Sequence, residues 1–199
     1  MSNSPCLKQL VISAVRGIAQ PINSGNKGAV DISALVEATS QLPLSNLDDW
    51  ERLIRLEFSS ALRNSALPKW KFWLQPSQVP AWLDLIDFDG YKREQALNIV
   101  EVAPNGFFFA LALRRLNDWV PQVRKAAREN IPRIAKSSET ADIVDALCAM
   151  LAHWESWGRM GELEKQALLE FLSYKEVVDA LKSTLISSSS WPMASLFSQ

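Results

Sequence analysis

The chain has 199 residues, 48% of them hydrophobic, so it is long enough to bury a core as one domain or as an elongated array. Its formal charge of −1 excludes a strong overall attraction to DNA or to anionic membranes. The sequence shows neither a secretory signal nor a membrane span, and its two cysteines form no disulfide framework. We therefore expect a cytoplasmic protein that does not bind membranes.

The first part of the chain, residues 1–66, is predicted to be helical. An apolar stripe over residues 5–20 indicates a helix that Pro21 should stop. Aspartates suited to cap helices open two further segments. They are Asp31 for a short second helix, and Asp48 or Asp49 for a third helix with an apolar face.

Residues 67–80 (LPKWKFWLQPSQVP) have a different composition, with three prolines and three large aromatic side chains. They predict an irregular connector. Aromatic side chains interleaved with lysine can anchor a partner or stack on bases, although such a segment more often folds back over a neighbouring core. Trp70 and Trp73 are therefore candidate partner-binding residues. Tryptophans in or near predicted helices are expected to pack internally: Trp50, Trp82, Trp119 and Trp154.

Helical patterns return over residues 81–186, and no clean alternation typical of a strand is present. The predicted fold is therefore all-α, with one continuous array. A serine-rich, partly apolar tail follows at residues 187–199. The predicted helices are 81–86, 91–102, 106–116, 121–135, 140–154, 162–172 and 175–185.

A repeat with an offset of 31 residues is the strongest pattern in this array. Asp87 is followed six positions later by Arg93, and Asp118 is followed at the same spacing by Arg124. An alanine comes three positions after each arginine, where a small side chain lets two helices approach closely. The spacing predicts two equivalent helical hairpins.

Each residue type in the repeat has a structural reason. An aspartate just before a helix accepts hydrogen bonds from the free amide groups of the first turn. Pro121 suits a first turn because no intrahelical partner is needed for its missing N–H. Arg124 is predicted at the edge of the buried face, where it can reach the aspartate of its own or a neighbouring unit. A third copy is degenerate, with Gly158 for the aspartate and Glu164 for the arginine.

These residues resemble the HEAT-repeat family of α-solenoids. The matching residues are the apolar run Phe107–Leu116, the turn Asp118–Pro121, and Val123, Arg124, Ala126 and Ala127. The resemblance implies a right-handed α-solenoid of stacked antiparallel helix pairs with a binding role, and it names no ligand. Two features depart from the family. The offset is shorter than the usual repeat of about 40–47 residues, and Pro132 should kink or weaken its helix.

Motifs for catalysis or metal binding are missing from the sequence. The only histidine, His153, has Cys148 five positions before it and no third ligand nearby, so no zinc site is predicted. There is no Gly-x-Ser-x-Gly elbow and no phosphate-binding glycine-rich loop. We therefore predict a protein that is not an enzyme and has no catalytic residues, metal, cofactor or small-molecule substrate.

The neutral total hides a basic middle, with seven basic and two acidic residues between Arg114 and Lys136. In the family it resembles, the second helix of each pair lines the concave surface, which makes a candidate contact patch of Lys125, Arg128, Arg133 and Lys136. The alternative is a solvated face with intrahelical pairs such as Lys125 with Glu129.

Two functions follow from these observations. The first is a non-catalytic scaffold or adaptor that binds another protein, which the missing catalytic motifs, the scattered tryptophans and the neutral charge favour. The second is nucleic-acid binding through the basic region 114–136, including a remote similarity to HEAT-like alkylpurine DNA glycosylases. The sequence identifies neither the partner nor the assembly state.

Overall fold

A computed structural model describes residues 4–24, 30–63, 80–151 and 157–187. Every regular element in these ranges is helical, which confirms the all-α prediction there. Two 3-10 turns, Leu44–Asn46 and Arg115–Asn117, supplement the α-helices. The helices are α1 Ser4–Asn23, α2 Ser33–Ser40, α3 Leu47–Arg63, α4 Ala81–Asp84, α5 Gly90–Ile99, α6 Gly106–Arg114, α7 Pro121–Ser137, α8 Thr140–Leu151, α9 Glu162–Leu172 and α10 Lys175–Ser187. The predicted connector with Trp70 and Trp73, Trp154, and the tail after Ser187 lie outside the described residues.

Two prolines lie inside helices, one predicted to stop its helix (Pro21) and one predicted to kink or weaken it (Pro132). α1 continues through Pro21 to Asn23, and α7 continues past Pro132 to Ser137. A proline removes one backbone donor and disfavours a helical residue before it, but packing of an amphipathic face supplies most helical stability. Here the buried face of each helix extends across the proline, with Ile22 beyond Pro21 and Ile134 beyond Pro132. The predicted stop at Pro21 is therefore wrong.

Alternate helices of the array pack side by side. α5, α7 and α9 contact one another in sequence, and so do α6, α8 and α10. α6 has contacts with α2, α3, α7 and α8, and all its residues from Gly106 to Leu113 are buried. A helix that is apolar on every side needs cover on every side, which explains this central position.

The turns at Asp87 and Asp118 make the same hydrogen bonds. In each, one carboxylate oxygen accepts a hydrogen bond from the backbone N–H two residues later, at 2.8 Å and 2.9 Å. In each, the arginine six positions later donates through Nη1 to the aspartate's own carbonyl, Arg93 at 2.7 Å and Arg124 at 2.8 Å. Residues that are 31 positions apart in the sequence repeat therefore make equivalent hydrogen bonds in the two turns.

Neighbouring units are joined by ion pairs between the helices of the same set. Arg93 on α5 also donates to the Asp118 carboxylate of the next turn, through Nε at 3.0 Å and Nη2 at 2.9 Å. The next contact runs from Arg128 on α7 to Glu164 on α9, at 3.1 Å. In both contacts the arginine belongs to the earlier unit and the carboxylate to the later one; Glu164, which stands where the other copies have arginine, is the acceptor in the degenerate copy.

Candidate functional site

A cleft of about 480 Å³ lies where the turns of successive units meet. Its walls come from the start of α3, the turns before α5 and α7, the end of α8, and the segment that follows it. Four of the lining charged side chains are also buried, which is unusual for charged residues unless they are paired. They are Glu51, Arg93, Arg115 and Asp118.

These buried charges form one connected cluster with Arg115 at its centre. Arg115 donates through Nη2 to both carboxylate oxygens of Glu51 at 2.9 Å, and through Nη1 to Asp118 at 3.1 Å. Asp118 also accepts the two bonds from Arg93, and Glu51 accepts one from Arg55 at 2.8 Å. Planar guanidinium groups that donate to carboxylates in this way fix geometry as well as charge. The floor of the cleft is therefore held by α3, α5 and the turn after α6.

The electrostatic state of the cluster follows from its contacts. Burial alone would raise the pKa of Asp118, but the bonds from Arg93 and from the Val120 N–H, with the charges of Arg115 and Arg93, hold that pKa below its ordinary value. Arg114 contacts Asp48 and lies 3.2 Å from Glu51. Burial and the adjacent positive charge of Arg115 lower the pKa of Arg114 to about 10, so it stays charged at neutral pH.

Aromatic side chains stand at the mouth of the cleft. Trp119 is 67% exposed, and its ring centroid lies 5.8 Å from Cζ of Arg93. Phe88 lies beside the cleft and not in its lining; it is 59% exposed, and its ring centroid lies 4.9 Å from Cζ of Arg55, which does line the cleft. Trp157 is half-buried and lines the cleft. We call Phe88, Trp119 and Trp157 the aromatic rim. Arg93 of the buried cluster contacts the ring of Trp119, and Arg55, which donates to Glu51 of that cluster, contacts the ring of Phe88.

A fifth arginine, Arg159, also lines the cleft. Arg159 is exposed, and its backbone N–H donates to Oδ1 of Asn117 at 2.8 Å, which fixes this segment against the turn before α7. Its guanidinium makes no ion pair with any residue in the described ranges. It is therefore a positive group that faces solvent in the cleft.

The predicted basic patch lies along α7 and does not line the cleft. Lys125, Arg133 and Lys136 are exposed, whereas Arg128 is half-buried in its pair with Glu164. Lys125 lies 3.9 Å from Glu129, and Arg133 donates to the side chain of Asn130 at 3.0 Å. Of the four, Lys136 alone has no ion pair or side-chain hydrogen bond with a described residue. The role of the patch stays a prediction.

Sequence reasoning found part of the cleft and missed the rest. Asp87, Arg93 and Asp118, predicted as structural repeat positions, all line it. Trp119 was expected to pack internally, and its exposure corrects that prediction; Trp50 and Trp82 are buried as expected. The signal that was available for Trp119 was its place in a turn, directly after the aspartate. Residues of the cleft that were not predicted are Glu51, Arg55, Trp157 and Arg159, whereas Arg114 and Arg115 were predicted only as part of the basic region 114–136.

Comparison of the chain with models of protein families, with curated proteins and with solved structures found no match. Within the described ranges, no helix has the length and apolarity needed to cross a membrane. In the same part of the chain, no three His, Cys, Asp or Glu side chains are grouped to hold a metal ion. His153 lies outside that part.

Proposed function

We propose that this chain is a cytoplasmic, non-catalytic module of the HEAT-like α-solenoid type that binds a protein partner through the cleft and its aromatic rim. The side-by-side packing of alternate helices and the matching hydrogen bonds at Asp87 and Asp118 support a solenoid. Right-handed stacking is part of the proposal through the resemblance to the family. Solenoids of this kind present extended surfaces built from successive units. The turns before α5 and α7 both contribute to the cleft, which fits a surface of this kind.

The exposure of Trp119 is the observation that carries this proposal. A tryptophan that is 67% exposed has no role in the core, yet its ring lies over the buried pair of Arg93 and Asp118. Tryptophan and arginine are the side chains most enriched among residues that dominate protein–protein affinity. A ring already held in place loses little conformational entropy when a partner binds. The rim is therefore suited to anchor a protein.

Replacement of the two exposed rim residues tests the proposal. We expect the Phe88→Ala, Trp119→Ala double variant to lose a partner that the unchanged chain retains from cells, with affinity reduced at least about 30-fold because each anchor contributes more than about 1 kcal/mol. Quantitative mass spectrometry of proteins retained by each immobilised chain is the measurement.

A matched control removes exposed apolar groups elsewhere. Leu169 on α9 and Ile99 on α5 are 62% and 64% exposed and do not line the cleft. The Ile99→Ala, Leu169→Ala variant should retain the partner fully. Equal retention by the rim variant and the unchanged chain, or equal loss in both variants, would contradict the proposal.

Nucleic-acid binding through α7 is the alternative, favoured by the three exposed cations Lys125, Arg133 and Lys136 on one helix. Glu129 and Glu164 lie beside this patch and reduce its attraction for phosphates. We expect no shift of duplex or single-stranded DNA in gel electrophoresis at low salt. A shift that the Lys125→Glu, Arg133→Glu variant abolishes, and that added salt weakens, would establish the alternative instead.

A further inference from the structure

The charges that line the cleft do not cancel. Five arginines are present, Arg55, Arg93, Arg114, Arg115 and Arg159, against the four acids Asp48, Glu51, Asp87 and Asp118. One positive charge is therefore in excess, and the low local dielectric of a partly enclosed site strengthens its attraction for an anion. The described residues supply an acid partner for every one of these arginines except Arg159. The excess positive charge is therefore located at Arg159.

The pair of Arg114 and Asp48 is the part of the cluster that a ligand can replace. The Asp48 side chain is 76% exposed at the first turn of α3, and an exposed ion pair contributes little to stability. Arg114, by contrast, is half-buried beside the like charge of Arg115; both effects lower its pKa and favour an additional anion nearby. A carboxylate from outside can therefore take the place of Asp48 at low cost.

We propose that the cleft binds a carboxylate group of the protein partner, either an acidic side chain or a chain terminus, between Arg114 and Arg159, with an adjacent apolar side chain against Trp119 and Trp157. This inference rests on the proposed function and gives that binding site its chemical class of ligand. The rim supplies the apolar contact, and the two guanidinium groups supply donors in the planar arrangement that a carboxylate accepts.

The charge balance favours a carboxylate over a phosphate. A carboxylate brings one negative charge, whereas a phosphate ester with nearly two would be repelled more strongly by the Glu51, Asp87 and Asp118 carboxylates that are already present. Those three acids are fixed by their own partners, Arg115, Lys92 and Arg93, and cannot turn away. Repulsion by these three carboxylates therefore favours a ligand with one negative charge over a ligand with two.

Short peptides titrated into the full, isotope-labelled chain test this inference. The probes are Ac-Leu-Glu-Leu-NH2, which has a side-chain carboxylate; Ac-Leu-Gln-Leu-OH, which has a terminal one; Ac-Leu-Gln-Leu-NH2, which has none; and inorganic phosphate. Signals of tryptophan indole N–H and arginine Nε–H groups report binding. We expect one or both carboxylate peptides to shift the signals of Trp119 and Arg159 with a Kd of about 1 mM, and the other two probes to leave them unchanged.

Variants with opposite effects make the result specific. Arg159→Gln should weaken binding about tenfold, since a hydrogen bond between charged groups is lost. Asp48→Asn should strengthen it about two- to fivefold, because the competing carboxylate is removed. Lys136→Gln, which removes an exposed cation on α7 outside the cleft, should change nothing.

Binding of only one of the two carboxylate peptides would support the inference and show whether the carboxylate comes from a side chain or from a chain terminus. It would be overturned by equal binding of the amide peptide, by tighter binding of phosphate, by weaker binding to Asp48→Asn, or by no binding up to about 10 mM. Rim-dependent capture of a partner would stand in any of these cases, so the failure of the carboxylate inference is distinguishable from failure of the proposed function.

Discussion

Asp118→Asn is expected to lower the free energy of unfolding by about 3–5 kcal/mol, the usual cost of removing one member of a buried ion pair. The Asp118 carboxylate accepts hydrogen bonds from Arg93, Arg115 and the Val120 N–H, and it is buried. An asparagine keeps the shape and one acceptor but leaves Arg93 without a charge partner. Urea denaturation at neutral pH, followed by circular dichroism, measures the loss.

Asp48→Asn is the matched control for this variant. Asp48 has the same chemistry and also contacts an arginine, but its side chain is 76% exposed. Its loss should cost less than about 1 kcal/mol. Similar costs for the two variants would show that the buried cluster does not support the fold more than a surface pair does.

Comparison of the unchanged chain with Asp118→Asn also predicts how the stability contributed by Asp118 depends on pH. The folded-state pKa of Asp118 lies below its unfolded value, so the stability from this group is fully present above the unfolded pKa of about 3.9. It is lost as the pH falls from there through the folded pKa. The difference in stability between the unchanged chain and Asp118→Asn should therefore be constant at neutral pH and shrink below about pH 4. A difference that grows on acidification would contradict the assignment.

Much of the array was predictable because its helices carry local signals. The apolar period and the flanking residues predicted α9 at its observed bounds, Glu162–Leu172, and the ends of the other array helices to within a few residues, apart from the end predicted at residue 154, which lies outside the described residues. The spacing of Asp87 and Arg93 was repeated by Asp118 and Arg124, and both arginines bond to a turn aspartate. Such contacts join residues a few positions apart, so sequence spacing contains the necessary information.

The centre of the cleft was not predictable, because its members come from distant segments. Glu51 bonds to Arg115, 64 positions later, and in sequence it looks like any acid on an amphipathic helix. Its burial arises only when α3 packs against α6. The exposure of Trp119 is a similar case: an aromatic residue in a turn packs inward or stays outside according to the neighbours that the fold brings to it. Long-range packing therefore decided which residues form the site.

Phe109→Ala should destabilise the chain by about 3–5 kcal/mol without altering the cleft. Phe109 on α6 has no exposed surface, and its ring meets Phe171 of α9 edge-on, with centroids 6.1 Å apart. Loss of the ring removes buried apolar surface and leaves a cavity that close-packed neighbours fill only in part. Thermal and urea unfolding measure the change.

Phe88→Ala is the control, since it removes the same ring from the rim. Phe88 is 59% exposed and contacts Arg55, so its loss should cost less than about 1 kcal/mol in stability. The two variants should rank in the opposite order when affinity for the partner is measured instead of stability. Phe109→Ala, at temperatures where it is folded, should retain the partner with unchanged affinity, whereas Phe88→Ala should bind it more weakly. A partner lost in Phe109→Ala and retained in Phe88→Ala would mean that binding depends on the integrity of the helix stack and not on the rim.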